Sequence, residues 1–277
     1  MKAMFFLLLC CLLLGGTLYA DTNVSGVIST SQTWTLAGSP YIITGNVEVR
    51  GSSTPIITIE AGVQVRFNSN VAIYLGESNY PEQMGGMVAN GTATSPVLFT
   101  ANTASPTAGY WNFIRTQPYT SSSTSFTHAV LEYGGSSGYG MFYVYGGSPS
   151  FAYCTFRYSS NYGIYHYHDS VTASVSGCTF QNNGGYPLYW NPQFVASIGN
   201  DNSFSGNGVQ RILLKSLILT GAVTWSNKGI PYEMDADLTL HNNANEFIMQ
   251  PATELQFKNG RRLYIGGNTY TTERGHI

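Results

Sequence analysis

The sequence predicts an all-β protein that winds as a parallel β-helix (a solenoid), with three short strands and about 22–25 residues per coil. Three observations predict this fold. Short strand-like segments recur at a nearly constant interval, turns rich in Asn, Gly and Ser separate them, and only 9% of the residues are charged. A fixed period of about two dozen residues is typical of a solenoid, and the turn-rich, β-branched composition excludes helical repeats.

The first strand of each coil carries the clearest repeat. Four segments align at nearly equal intervals: "AVLEY" from Ala129, "CTFRY" from Cys154, "CTFQN" from Cys178 and "NSFSG" from Asn202. Side chains alternate between the two faces of a strand, and strands of successive coils lie about 4.8 Å apart. We therefore expect Phe156, Phe180 and Phe204 to stack in one column inside the solenoid.

The second and third strands follow at similar intervals. The second strands are "MFYVY" from Met141, "IYHYH" from Ile164, "PLYWN" from Pro187 and "RILLK" from Arg211, and the third strands centre on Phe151, Val175 and Ile198. Asn tolerates the left-handed backbone of a tight corner. Asn161, Asn183 and Asn207 are therefore expected to mark the corner between the first and second strands.

The chain begins with the features of a secretory signal peptide. Residues 1–20 combine an early Lys, an apolar run and small residues before Ala20, after which cleavage is expected. The run is short for a membrane span, so the sequence predicts a secreted or cell-surface domain over residues 21–277 without a transmembrane anchor. That domain has two cysteines, Cys154 and Cys178, which we expect to be buried thiols side by side.

A longer repeat relates the two ends of the chain. The opening module, residues 27–76, returns at residues 217–267, with Trp34 matching Trp225. The first copy continues into the segment 87–101, which has no counterpart after the second copy. The sequence is therefore expected to be C-terminally incomplete.

These motifs resemble a known family. The segments "ITIEAGVQVRF" from Ile57, "NGTATSPVLFTA" from Asn90, "GYWNFI" from Gly109 and "THAVLEYGG" from Thr127, with the repeated "CTF", are similar to secreted bacterial right-handed parallel β-helix proteins. The resemblance covers about residues 24–267. It implies a pectate-lyase-like architecture, and parallel crossovers are in general right-handed. Members include polysaccharide lyases and glycoside hydrolases as well as surface proteins, so the resemblance leaves the activity open.

The enzyme hypothesis depends on carboxylates. Glycoside hydrolysis uses two of them about 5–10 Å apart, and a lyase of this kind would need several around Ca²⁺. Residues 101–232 contain three acids, Glu132, Asp169 and Asp201, on different coils. Glu132 aligns with Arg157 one coil later, so the pair is either an ion pair between coils or, on the catalytic hypothesis, an acid with its substrate clamp.

Two histidines and their neighbours suggest a ligand surface. His166 and His168 share one face of a strand at a spacing that suits a metal, although no third ligand is evident. The register from the repeat intervals places Tyr143, His166 and Tyr189 in one outward column and Tyr145, His168 and Asn191 in the next. It assigns Tyr165, Tyr167 and Trp190 to the core.

Such a face suits sugar rings, because Tyr combines apolar area with a polar handle. The alternative is that Tyr is simply a favourable strand residue. With a net charge of −2, nucleic acid is not an expected partner, and no cofactor is expected. The sequence thus favours a secreted, non-catalytic scaffold for adhesion or glycan binding, with a polysaccharide or cell-surface glycan as partner. The alternatives are a polysaccharide lyase or glycoside hydrolase, and a purely structural segment of a larger surface protein.

Overall fold

The computed structural model describes residues 21–136, 138–240, 245–266 and 275–276, so the predicted signal peptide lies outside the described residues. These residues form 28 short strands and two 3-10 helices. The first fourteen strands, in chain order, are β1 (Thr22–Ile28), β2 (Gln32–Trp34), β3 (Tyr41–Val49), β4 (Ile56–Ile59), β5 (Gln64–Phe67), β6 (Ile73–Leu75), β7 (Gly86–Asn90), β8 (Val97–Ala101), β9 (Ile114–Thr116), β10 (Ser125–Thr127), β11 (Ala129–Glu132), β12 (Gly140–Val144), β13 (Ser150–Ala152) and β14 (Thr155–Arg157).

The remaining strands continue the same short pattern towards the C-terminus. They are β15 (Tyr162–His166), β16 (Ser174–Ser176), β17 (Thr179–Gln181), β18 (Leu188–Trp190), β19 (Ser203–Ser205), β20 (Ile212–Leu214), β21 (Leu217–Ile218), β22 (Ala222–Trp225), β23 (Tyr232–Met234), β24 (Leu238–Leu240), β25 (Asn245–Met249), β26 (Leu255–Phe257), β27 (Leu263–Ile265) and β28 (Gly275–His276). The 3-10 helices span Leu36–Gly38 and Pro192–Ser197.

Each strand pairs in parallel with the equivalent strand of the next coil, which confirms the predicted parallel β-helix. Three sheets run along the solenoid axis. The first sheet is β3-β5-β8-β11-β14-β17-β19, the second is β3-β6-β9-β12-β15-β18-β20-β23-β26, and the third is β2-β4-β7-β10-β13-β16. The long strand β3 belongs to the first two, because its two halves pair with β5 and β6 respectively. Near the C-terminus, β21-β24-β27 and β22-β25-β28 continue the winding.

The interior contains the predicted phenylalanine column. The ring of Phe180 lies 5.0 Å from that of Phe156 at 5° between planes, and 5.5 Å from that of Phe204 at 15°. Phe156 and Phe180 are fully buried. Cys154 and Cys178 are buried free thiols beside this column, as expected, and burial raises the pKa of the Cys154 thiol. Stacking like residues closes a core that no single coil could bury alone.

The asparagine corner differs from its prediction at one position. Asn183 and Asn207 form the ladder: the Asn183 side-chain amide donates to the backbone oxygen of Phe156 at 3.1 Å and to Oδ1 of Asn207 at 2.9 Å. The coil below supplies Ser159, whose backbone N–H donates to Oδ1 of Asn183. Asn161 was wrongly assigned to this corner. It is half-exposed and donates to the backbone oxygen of Gly138 instead, because Ser159 already occupies the corner in that coil.

The two copies of the opening module have the same order of strands. In the first copy Trp34 stacks on Tyr41 with ring centroids 4.6 Å apart, and in the second Trp225 packs on Tyr232 at 5.2 Å. Strands β2 to β6 correspond in order to β22 to β27, with β3 divided into β23 and β24. Residues 241–244 and 267 of the second copy lie outside the described part of the chain.

Candidate functional site

The outer face of the second sheet carries one continuous column of large side chains. The register of the paired strands places its members directly above one another, in the order Glu48, Tyr74, Arg115, Tyr143, Tyr165, Tyr189, Leu213 and Glu233. We call this set the outer column. Its middle members are aromatic over successive coils, so this face of the sheet differs from a usual polar solvent face.

The outer column corrects the predicted register. Tyr143 pairs with Tyr165, whereas the sequence intervals suggested that it would pair with the next residue, His166. A shift of one residue moves every side chain of a strand to the opposite face. His166 therefore lies in the core and is 0% exposed. Tyr165 and Tyr167, which had been assigned to the core, lie outside.

His166 is held in an apolar interior. Its ring stacks on Trp190 at a centroid distance of 4.7 Å, and its Nε2 lies 2.9 Å from the backbone oxygen of Val171. Its Nδ1 has no hydrogen-bond partner in the described residues. Burial, the main cause, lowers the pKa of His166 to about 4, and nearby Lys215 acts in the same direction. At neutral pH His166 is therefore an uncharged core residue.

The metal hypothesis gains no support from this geometry. His168 Nδ1 accepts a hydrogen bond from the backbone N–H of Ser170, which occupies one of its ring nitrogens. Within the described ranges, no group of three or more His, Cys, Asp or Glu side chains could hold a metal ion. The pair His166 and His168 is thus divided between the core and a turn.

Asn191 also lies away from the surface assigned to it. It is buried, and its side-chain amide donates to the backbone oxygens of His168 and Asp169 at 3.3 and 3.5 Å. Its Oδ1 accepts from the backbone N–H of Gln193 at 2.9 Å. Asn191 therefore fastens the turn after β15 to the 3-10 helix Pro192–Ser197, and it is unavailable to a ligand on the outer face.

Tyrosines around the outer column form a packed layer on the outside of the sheet. We call this layer the tyrosine surface, and its members are Tyr139, Tyr143, Tyr145, Tyr165, Tyr167 and Tyr189. The rings of Tyr165 and Tyr189 are 4.5 Å apart at 8° between planes. Because such rings on adjacent strands cover one another's faces, a ligand would meet ring edges rather than ring faces. This finding differs from the flat array of ring faces expected from sequence.

Two members of the tyrosine surface are well exposed. Tyr139 stacks on the buried Tyr143 at 4.7 Å and is 38% exposed, while Tyr167 stacks on Tyr145 at 5.8 Å and is 47% exposed. Exposed rings held in place by stacking lose little side-chain entropy when a ligand binds. Tyr139 and Tyr167 are therefore the members best placed for contact with a ligand.

The hydroxyl groups of Tyr143, Tyr165 and Tyr189 stay neutral over the physiological pH range, because their pKa values are raised. Burial, the largest effect, raises the pKa of Tyr165 to about 12, and it also raises the pKa values of Tyr143 and Tyr189. A neutral phenol both donates and accepts hydrogen bonds. These three tyrosines thus keep hydroxyl groups that can both donate and accept at neutral pH.

A cation lies at the lower end of the tyrosine surface, which is the end nearer the N-terminal coils. The guanidinium carbon of Arg115 lies 4.1 Å from the ring centroid of Tyr145 and 4.9 Å from that of Tyr143. Arg115 takes part in none of the ion pairs of the described residues, and its buried Nε has no hydrogen-bond partner there. At the upper end, Lys215 pairs with Asp169 and lies over the Tyr167 ring at 5.5 Å.

Glu132 and Arg157 lie on a different sheet from the tyrosines. Nη2 of Arg157 is 2.6 Å from Oε2 of Glu132, and Thr100 donates to Oε1 of Glu132 at 2.8 Å. Both carboxylate oxygens are therefore engaged, as the ion-pair interpretation expects. Glu132 borders an open cleft of about 480 Å³, and it is the only carboxylate among the described residues that line this cleft. A two-carboxylate centre is not formed there.

Sequence reasoning missed four of the residues that matter on the outer face. Tyr139, Tyr165, Tyr167 and Arg115 were not candidates, whereas Tyr143, Tyr145 and Tyr189 were, although Tyr143 is buried beneath Tyr139. The useful signal was apolar alternation. Aligning Phe142 with Ile164 as inward residues gives the observed register.

Comparisons with known proteins identify the family of the chain. In the described residues, no helix has the length and apolar character needed to cross a membrane. No curated protein and no solved structure matches the chain significantly. The family model described as "Right handed beta helix region" matches residues 36–245 and, in an overlapping match, residues 139–274. Since these matches cover most of a sequence that winds as a parallel solenoid, the chain belongs to the right-handed β-helix family.

Proposed function

We propose that the protein is a secreted, non-catalytic β-helix scaffold that binds carbohydrate through the tyrosine surface. The observation that carries the proposal is the run of aromatic side chains on the outer faces of adjacent strands, with Tyr139 and Tyr167 exposed at 38% and 47%. Secretion rests on the signal peptide that the sequence predicts at residues 1–20.

Carbohydrate suits this surface better than a purely apolar partner. The stacked rings of Tyr165 and Tyr189 leave their edges for contact, and phenol hydroxyl groups can donate and accept hydrogen bonds. A sugar presents alternating C–H and O–H groups to such a surface. Successive strands lie about 4.8 Å apart. An extended glycan aligned with the solenoid axis would therefore meet Tyr139, which covers Tyr143, and then Tyr165 and Tyr189 on the following coils.

The non-catalytic part of the proposal is supported by the carboxylates. Glu132 is held by Arg157 and Thr100, and its cleft brings in no second acid from the described residues. The usual glycoside hydrolase arrangement needs two carboxyl groups flanking one bond. The cleft beside Glu132 therefore lacks half of that arrangement.

A glycan array paired with an assay for new reducing ends and unsaturated uronates tests the proposal. We expect binding without product. Tyr139→Ala and Tyr167→Ala should weaken binding, because they remove the exposed rings. The matched control is Tyr153→Ala, which removes a ring that is 58% exposed and stacks on His128 at a different corner. Turnover of any bound glycan would refute the non-catalytic assignment, and equal loss in all three variants would refute the location.

A further inference from the structure

Arg115 occupies an unusual position for a cation on a β-sheet. It stands in the outer column between Tyr74 and Tyr143, with the aromatic layer above it. Its guanidinium lies over the rings of Tyr143 and Tyr145 at 4.9 and 4.1 Å. Arginine stacks on aromatic faces while its N–H groups remain free to point away from the ring. The stacking therefore holds the guanidinium in place without consuming its donors.

No protein group neutralises Arg115 in the described residues. Its Nε is buried without a hydrogen-bond partner, and none of the described side chains accepts a bond from its other nitrogens. The nearest acid in the outer column, Glu48, lies two strands away and is held by Arg50 at 2.7 Å. Oε2 of Glu77 lies 3.6 Å from Nε of the same Arg50. Glu48 and Glu77 are therefore engaged by Arg50 rather than by Arg115.

Tyr143, whose ring lies beneath the guanidinium, cannot neutralise Arg115 either. Burial raises the pKa of Tyr143, so its hydroxyl keeps its proton at neutral pH. A partly buried guanidinium with free donors and no counter-charge favours an anionic ligand, because charge-assisted hydrogen bonds are stronger where water is partly excluded. Carboxylates and sulfates match the planar fork of arginine with two parallel bonds.

We infer that Arg115 is an anion-binding residue at the lower end of the tyrosine surface, and that the glycan bound there carries carboxylate or sulfate groups. The inference rests on the proposed function and adds the ligand's charge to it. One acidic group would pair with Arg115 while neighbouring sugar units contact Tyr139 and Tyr167. The acidic group fixes the position of the glycan along the outer column, since Arg115 is the one column member with a free positive charge among the described residues.

Dextran, carboxymethyl dextran and dextran sulfate share one sugar backbone and differ in their charged groups. Comparing them distinguishes recognition of the charge from recognition of the sugar. Binding of the purified protein to each is measured by calorimetry at low and at moderate salt. We expect the wild type to bind at least one anionic polymer more tightly than dextran. Arg115→Gln should weaken that binding about ten- to a hundredfold, and it should leave binding of neutral glycans unchanged. Arg115→Lys should recover only part of the loss, because lysine cannot form the fork.

The control variant is Arg66→Gln. Arg66 lies on the first sheet, bonds to Gln64 and likewise has no carboxylate partner among the described residues, so it matches Arg115 in charge and differs in location. Circular dichroism establishes that each variant is folded. A preference for carboxymethyl dextran or for dextran sulfate identifies the acidic group.

Two results would overturn the inference. One is equal binding of an anionic polymer by wild type and Arg115→Gln, which would leave the proposed function standing if Tyr139→Ala still weakens binding. The other is a wild type that binds neither of the two anionic polymers. If the glycan array also detects no ligand, the proposed function fails as well, so the two failures are distinguishable.

Discussion

Acidification should destabilise the protein through one buried side chain, His166. Its pKa in the folded protein is about 4, and an unfolded histidine titrates near 6.5. Because the folded pKa lies below the unfolded pKa, the unfolded chain takes up the proton first as the pH falls. The contribution of uncharged His166 to the free energy of unfolding is therefore fully present above about pH 6.5. It is lost progressively as the pH falls towards 4.

The size of this effect follows from the two pKa values. A difference of about 2.5 pKa units corresponds to a maximum loss of about 3.4 kcal/mol, of which about 2.5 kcal/mol is lost by pH 4.5. The physical cause is that a protonated ring would place a charge against Trp190, with one backbone acceptor at Val171 and no partner for Nδ1 among the described residues. Lys215 opposes that charge, while Asp169, its ion-pair partner, favours it.

Urea denaturation at pH 7.5 and pH 4.5 measures the loss, and variants isolate its source. His166→Phe keeps an aromatic ring beside Trp190 and removes the titrating group, so it should lose about 2.5 kcal/mol less than the wild type between the two pH values. His128→Phe is the control, because it replaces a half-exposed histidine and leaves His166 in place. The reasoning is refuted if wild type and His166→Phe lose the same free energy of unfolding on acidification.

Three further predictions concern the interior and the ion pair. Phe180→Ala should lower the free energy of unfolding by about 3–5 kcal/mol in urea titrations, because the ring is fully buried between two others; a loss below about 1 kcal/mol would contradict the stacked column. Asn183→Ala should lower the free energy of unfolding by about 2–3 kcal/mol, because it leaves buried backbone groups unpaired. Asn161→Ala should change it by less than about 0.5 kcal/mol. Similar melting temperatures for the two variants would contradict the assignment of Asn183, rather than Asn161, to the corner. Arg157→Gln should cost about 1 kcal/mol in thermal melts, since Glu132 is nearly buried while the guanidinium is partly exposed, and no change would mean that solvent already screens the pair.

The first sheet could be predicted from sequence because identical residues mark its register. The segments beginning at Cys154 and Cys178 share Cys-Thr-Phe, so they can be aligned in only one register. Phe156 pairs with Phe180 as expected. The inward direction of these side chains follows from strand alternation alone. The ion pair of Glu132 and Arg157 follows from the same alignment.

The second sheet was predicted one residue out of register because turn lengths differ between coils. The chain takes a longer path from Leu131 on the first sheet to Phe142 on the second than it takes one coil later from Phe156 to Ile164. A constant interval cannot represent both turns. The segment "IYHYH" contains alternating large side chains on both faces, so its composition does not favour one register strongly, and packing of Ile164 against Phe142 decides it.

The stacking within the tyrosine surface could not be derived from sequence at all. Arg115 and Tyr143 pair across successive coils, and a full coil containing β10 and β11 with turns of unequal length separates them in sequence. Tyr139 comes from the turn before β12, where no periodicity exists to predict its position over Tyr143. Such contacts depend on turn conformation, which repeats in a solenoid fix only loosely.

The most direct test of the glycan-binding proposal is a nuclear magnetic resonance titration of protein labelled in its tyrosine rings. Single Tyr→Phe variants assign the signals of Tyr139, Tyr167 and, as the reference, Tyr153. Addition of carboxymethyl dextran is predicted to shift the signals of Tyr139 and Tyr167 and to leave that of Tyr153 in place. Shifts at Tyr153 with none at Tyr139 or Tyr167 would contradict the assignment of binding to the outer face of the second sheet.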